Sequence, residues 1–410
     1  MRSIIFCTLA CWLLTVACRK EEFQQPPHGG PVPYNDTARY ELKSLLGMTG
    51  HKLFYAAWQK SNLNTILAAQ GAAMRYTILA PDDAAMTAAG YTNAAIAAAP
   101  VEELDSLLCF HVIPEYVDTL ALRGQRGSVR RKTMLQDNTL VEYLNGVGSN
   151  VPFIKPYTYK QFLALGKDGG LLVNGRNTGK GQPMYATNGI IWPVNQLLKR
   201  PTESMLDIIR RDPRLSIFSE LLQRTDEIWQ TESMGYYERG NFKGLGLVNG
   251  TEVVSDGFFA PTNDAFKRAG FNSVDDLMAL NSRSMPYFNW DTFEMVNGFV
   301  TDSLLAYHAW GRMYTPVGAF GTGNRSVAMF YSNDLDNNII GDYDLTSSNG
   351  GNLPPYPMTL EFGVSTAGQI TVKVKGSNHP AASITEADIN TFQGPLHLVD
   401  NLILSNKVQY

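Results

Sequence analysis

Apolar positions in this chain follow a helical period in some stretches and a strand-like alternation in others, and the two kinds of stretch come in one order twice. From Thr37 to about Ala69 the period is helical. Phe54, Ala57, Trp58 and Ser61 fall at i, i+3, i+4 and i+7, so Phe54 and Trp58 face a core, and Leu63, Ile66 and Leu67 extend that face. Val101, Leu104, Leu107 and Leu108 predict a second helix, which runs into a strand from Phe110 to Ile113. Short strand-like runs follow at 139–144, 158–165 and 170–174, with Gly and Asn marking the turns between them. Residues 188–198 read as an apolar strand interrupted by Pro193, which suits an edge or a bulge. From Ser204 to Leu222 the opening helical pattern returns, with Phe218, Leu221 and Leu222 in the places of Phe54, Ala57 and Trp58.

The clearest repeat is a short unit written twice: Tyr76-Thr-Ile-Leu-Ala-Pro-Asp-Asp-Ala-Ala-Met-Thr-Ala-Ala-Gly90 and Asp256-Gly-Phe-Phe-Ala-Pro-Thr-Asn-Asp-Ala-Phe-Lys-Arg-Ala-Gly270. Each reads as an apolar strand, an Ala-Pro corner, a cap, a short helix and a closing Gly before an aromatic. Pro cannot donate to a ladder or sit inside a helix, so it marks the junction. Asp82 and Thr262 are suited to accept orphan N–H groups at the helix start. Asp83 and Asp264 complement its positive end, and Gly90 and Gly270 can take the left-handed conformation that stops it. Further along, Cys109-Phe-His-Val-Ile113 corresponds to Ala306-Tyr-His-Ala-Trp310, and Gly189-Ile-Ile-Trp192 to Gly394-Pro-Leu-His397. The reading is a tandem repeat: a first domain over 37–201 and a second over 202–410, the latter with a long Gly/Asn/Asp/Tyr-rich insertion at 311–357.

Phe258-Phe-Ala-Pro-Thr-Asn-Asp-Ala-Phe266, Tyr307-His308 and Gly394-Pro-Leu-His397, following a Leu-rich opening helix, resemble the sequence pattern of the fasciclin domain. The first copy departs from it, with Asp82-Asp83 for Thr-Asn, Met86 for the closing Phe and Trp192 for the last His. The resemblance implies an α+β fold of two tandem domains, each a wedge-shaped β-sandwich flanked by helices. It also implies a role in extracellular adhesion or ligand binding without catalysis, with Tyr307 and His308 in a region that contacts partners in some members.

Composition narrows the setting. A 44% hydrophobic and 18% charged chain of 410 residues is that of a globular protein. A net charge of −4 offers no basic footprint for nucleic acid. Three of the four cysteines, Cys7, Cys11 and Cys18, lie at the N-terminus, which leaves Cys109 as a small buried apolar residue rather than part of a disulfide framework. Met1-Arg2, the uncharged run from Ile4 to Ala17 and the ending Leu14-Thr-Val-Ala-Cys18 resemble a bacterial lipobox. On that reading 1–17 is a signal peptide, Cys18 is lipidated, and 18–36 is a tether off the membrane. Lys20-Glu21-Glu22 resembles the surface-export signal of Bacteroidetes lipoproteins, which places the body on the outer membrane facing the exterior.

The candidate chemistry is sparse. The six histidines lack paired metal-binding spacing, and His111 and His308 read as hydrogen-bonded core residues in strand-like runs. Asp334-Leu-Asp336-Asn-Asn338 opens like a calcium loop but lacks the later Gly and acid. Residues 175–181 resemble a phosphate loop one residue short. No catalytic residue, cofactor or metal ligand is assigned. Partner contacts are instead expected from Tyr307, His308 and the aromatics Phe330, Tyr331 and Tyr343 of the insertion. Planar rings beside amides and carboxylates there suit a glycan as well as a protein ligand. An accessory glycan-binding component of an outer-membrane nutrient-uptake system is the alternative to an adhesion module.

Overall fold

The twice-written unit takes the same conformation in both copies. In the computed structural model, which describes residues 38–144, 153–232, 245–284, 286–291, 294–296, 298–310, 329–345 and 357–408, strand β1 spans Tyr76–Pro81 and is followed by a helix over Asp83–Ala88. The Asp82 side chain accepts from Ala85 N–H at 2.7 Å, and Thr262 does the same for Ala265 at the start of the helix Asn263–Arg268. Gly90 and Gly270 sit at φ 90° and 93°. The next residue closes each turn, Tyr91 N–H donating to Met86 O and Phe271 N–H to Phe266 O, the six-to-one bond of a left-handed helix stop. Asp83 lies in the first turn of its helix, as its position suggests, and has a second task. Its carboxylate accepts from Leu53 N–H at 2.7 Å, and Asn263 accepts from Ile217 N–H at 2.9 Å. In both copies this residue therefore ties the strand-to-helix corner to the start of the preceding helix.

Helical periodicity over 37–69 resolves into three short helices, Leu42–Gly47, Lys52–Lys60 and Leu63–Ala68. Phe54, Ala57 and Trp58 are buried, as are Phe218, Leu221 and Leu222 on the longer helix Ser216–Glu232. The helix from Val101 runs on to His111, so the expected strand shrinks to β2, Val112–Ile113. Strands β3, Val129–Leu144, and β4, Phe153–Leu165, form a hairpin far longer than the sequence runs suggested. Two irregularities in its register break the alternation that sequence reading relies on. β5, Leu171–Val173, and β6, Arg176–Asn177, complete that sheet.

β7, Met184–Ala186, and β8, Gly189–Val194, join the other sheet of the first repeat, in the order β2-β1-β8-β7. β8 is internal, yet Pro193 is tolerated because β7 pairs only with residues 189–191. In the second repeat β9, Phe258–Pro261, is the counterpart of β1. A short pair, β10, Tyr287–Asn289, and β11, Glu294–Val296, stands apart. β12, Leu360–Val364, β13, Ile370–Val374, β14, Ala382–Asn390, and β15, Pro395–Val399, join β9 in the order β12-β13-β14-β15-β9.

The parallel pairing of β1 with β8 recurs as β9 with β15, and it explains a shared glycine. A Cβ on Gly189 would overlap Tyr76 O, and one on Gly394 would overlap Asp256 O. Tyr76 and Asp256 are the first residues of the two matched stretches, so the same close backbone approach excludes a side chain in both copies. The chain divides into two units, Met1–Arg39 and Tyr40–Tyr410, and both repeats lie in the second. Among the described residues no helix is long and apolar enough to cross a membrane.

Candidate functional site

The histidine pair lies at helix ends, not in strands. His308 sits in the single 3-10 turn Ala306–Ala309, fully buried. Ile403 N–H donates to its Nε2 at 3.1 Å, which leaves the proton on Nδ1 to donate to Phe259 O at 2.7 Å. His111, the last residue of its helix, accepts from Leu198 N–H at 3.1 Å and donates to Leu107 O at 2.8 Å. Burial pushes both imidazoles down to about 4, against a weaker opposing pull from the backbone bond. With both ring nitrogens committed, neither is available to a ligand, so His308 is a frame residue and not the contact expected of it. Tyr307 beside it is half-buried and borders a cavity of about 370 Å³ with Ser284, Ser303, Ser405 and Lys407.

The closing strands show the same logic with different residues. Trp192 Nε1–H donates to Val117 O at 2.8 Å. At the matching position His397 Nε2–H donates to Phe330 O at 3.0 Å, while its Nδ1 accepts from Asp388 N–H at 3.3 Å. An indole can replace the imidazole because the shared requirement is one buried ring N–H aimed at a crossing backbone carbonyl.

The insertion aromatics divide. Tyr331 is fully buried, its hydroxyl donating to Asn390 Oδ1 at 2.8 Å and its ring 5.0 Å from Phe162 of the first repeat. Phe330 is packed edge-on between Trp310 at 5.2 Å and Tyr343 at 4.8 Å. The exposed part of the expected stacking platform therefore reduces chiefly to Tyr343, 37% exposed; Tyr331 is core and Phe330 is half-buried against the core, since apolar packing holds both rings. Cys18, Phe320 and Tyr356 lie outside the described residues.

Tyr331 belongs to a seam between the repeats. Tyr157 on β4 donates its hydroxyl to Phe392 O at 2.8 Å, and its ring meets Phe392 edge-on. Val141 on β3 exchanges backbone hydrogen bonds with the segment around Glu252, accepting from Val253 N–H and donating to Thr251 O. Asp334, the first acid of the calcium-like stretch, accepts at Oδ1 from Ser128 N–H at 2.8 Å, Ser128 Oγ at 3.1 Å and Asn333 Nδ2 at 2.9 Å. It is a structural acceptor between repeats, and burial raises its pKa. Arg126 reaches Asp342 and Asn338 O. On β4, Lys160 pairs with Glu142 at 3.2 Å and lies over the Tyr157 ring, and burial pushes the ammonium down to about 8.

Beside this seam a cleft of about 690 Å³ opens between the turn after β4 and the 333–339 segment. Its walls carry Arg123, Arg126 and Lys167, the amides Gln125 and Gln182, and an apolar floor with Trp192. Nothing in the sequence pointed to it, because its residues are spread from 119 to 339 and no local motif joins them. Among the described residues, no group of three or more His, Cys, Asp or Glu is placed to hold a metal ion.

Comparison with known proteins gives one family: residues 49–200 match the model of the Fasciclin domain. Among solved structures, a fasciclin domain pair from the insect cell adhesion molecule fasciclin I aligns with 87% of this chain and 98% of its own. That alignment has 15% identity and a TM-score of 0.30. No curated protein matches by sequence.

Proposed function

We propose that this chain, whose residues 49–200 match the Fasciclin domain model, is a surface-anchored, non-catalytic adhesion or ligand-binding module. Residues 37–201 and 202–410 act as its tandem domains, and a lipid on Cys18 holds it to the outer membrane. The observation that carries this reading is the seam. A module that transmits force from a ligand to an anchor must resist shear between its domains. Here Tyr157, Phe162, Arg126 and Ser128 of the first repeat are bonded to or packed on Phe392, Tyr331, Asp342 and Asp334 of the second. The buried histidines act in the same direction, as fixed cross-links in each repeat rather than as acid–base groups.

The test is attachment of intact cells to protein- and glycan-coated surfaces, comparing the parent with a deletion and with Cys18→Ala. Attachment should fall in both, and protease added to intact cells should release the body. Equal attachment in all three strains would end the adhesion reading, and protection until lysis would end the surface one. A second reading, an accessory glycan-binding component of an outer-membrane nutrient-uptake system, is favoured by the polar cleft between the repeats.

A further inference from the structure

We propose that the cleft beside the repeat seam binds a short saccharide bearing carboxylate groups, the charge being read by Arg123 and Lys167. The proposal rests on the ligand-binding reading above and adds the site and the chemical class.

The first argument is size. About 690 Å³ is within the roughly 300–1,000 Å³ of small-molecule clefts, and a domain junction is a usual place for one. The second is charge. The protein carries a net charge of −4, yet three cations border this cleft and its one acid is already engaged. Asp334 Oδ1 takes three hydrogen bonds from Ser128 and Asn333, and Arg126 is held by Asp342. Asp168, next to Lys167 in sequence, is taken by Lys180 at 3.4 Å. Among the described residues no carboxylate pairs with Arg123 or Lys167, and both side chains are exposed. Two uncompensated cations lining one cleft fit an anion, and the guanidinium fork of Arg123 matches a carboxylate in two-point geometry.

The third argument separates a sugar acid from a bare anion. The lining also includes the amides Gln125 and Gln182, each able to donate to and accept from hydroxyls. Leu122, Leu165 and Ile339 add apolar surfaces to the same lining, which suit the C–H faces of a pyranose ring. A purely apolar ligand would leave the cations and amides desolvated without partners. A simple inorganic ion would leave most of the cleft to water.

The experiment is calorimetric titration of the full chain in detergent with a galacturonate trimer. The controls are its carboxyl-reduced, uncharged counterpart and acetate. The trimer should bind, the reduced trimer should bind at least tenfold more weakly, and acetate should give no heat above dilution. The double variant Arg123→Gln/Lys167→Gln should weaken trimer binding by tenfold or more. Both side chains are exposed, so its near-UV circular dichroism should match the parent. Raising salt should weaken parent binding more than variant binding. Equal affinity for charged and reduced trimers, an unchanged double variant, or acetate binding as well as the trimer would each overturn the proposal. If the trimer fails while the deletion and Cys18→Ala strains still lose attachment, the cleft assignment falls alone. Unchanged attachment in those strains as well would take the binding reading with it.

Discussion

Replacing Asp302 with Asn should make the protein more stable at alkaline pH and change how its stability depends on pH. Asp302 lies on the helix Val300–Leu305 and is buried. Its Oδ2 accepts from Trp229 Nε1–H at 3.0 Å, and Oδ1 is buried with no partner. Burial pushes its pKa up to about 7, the Trp229 and Phe299 hydrogen bonds opposing and Asp226 adding to the rise. In the unfolded chain an Asp titrates near 3.9. Between those values the folded protein holds a proton that the unfolded chain has lost. The group's contribution is thus fully present below the unfolded value and is lost as pH rises through about 7. Integrating from pH 5 to pH 8 gives a loss of roughly 3 kcal/mol.

His111 and His308 act in the opposite sense. Their folded values near 4 lie below the unfolded 6.5, so their stability is present above 6.5 and lost as pH falls toward 4. These terms are common to parent and variant and cancel in the comparison. Urea denaturation of parent and Asp302→Asn at pH 5 and pH 8 therefore isolates the carboxyl. The variant should gain about 3 kcal/mol relative to the parent on going from pH 5 to pH 8. A double difference under about 1 kcal/mol, or of reversed sign, would refute the assignment of a neutral buried acid.

Four further substitutions test the packing and one buried ion pair. Phe162→Ala removes the ring that the first repeat places against Tyr331 and Met329, and should cost about 3–5 kcal/mol by calorimetry, with the unfolding transition broadening or splitting as the seam loosens. Gly394→Ala drives a methyl into Asp256 O and should cost at least ~2 kcal/mol, whereas Gly270→Ala, with left-handed φ but open space, should cost about 1 kcal/mol. Comparable losses at the two glycines in urea melts would contradict the close-approach argument. Glu142→Gln leaves Lys160 and Lys155 without their shared carboxylate and should destabilise by about 2–4 kcal/mol at pH 7. Because Lys160 is largely buried, that loss should depend only weakly on salt.

What could be read in advance follows from the range of each interaction. The cap at Asp82 and Thr262, the left-handed Gly90 and Gly270 and the Pro corners each depend on residues within a turn of one another. Their chemistry is therefore written out in order, twice. Burial of Phe54, Trp58, Phe218 and Leu222 was legible for the same reason, since a helical period sets a face whatever it meets. The hairpin β3–β4 was legible only in fragments, because its register irregularities interrupt the alternation that marks a strand.

The sequence by itself therefore determined the repeated frame: the capped corners, the glycine at the head of each closing strand and the correspondence of its two histidines. Only the tertiary structure decided which chemistry-bearing residues meet solvent. Tyr331 and Tyr343 are equivalent as sequence, each an aromatic among amides and acids. One is sealed against Phe162 across the seam and the other remains partly exposed. Arg123, Lys167 and Gln182 carry no motif; folding of the first repeat gathers them at one cleft, and the second repeat adds Asn333, Asp334 and Ile339 to its lining. Backbone dihedrals and caps are settled by near neighbours, whereas burial and charge compensation are settled by whatever the fold brings up from far along the chain.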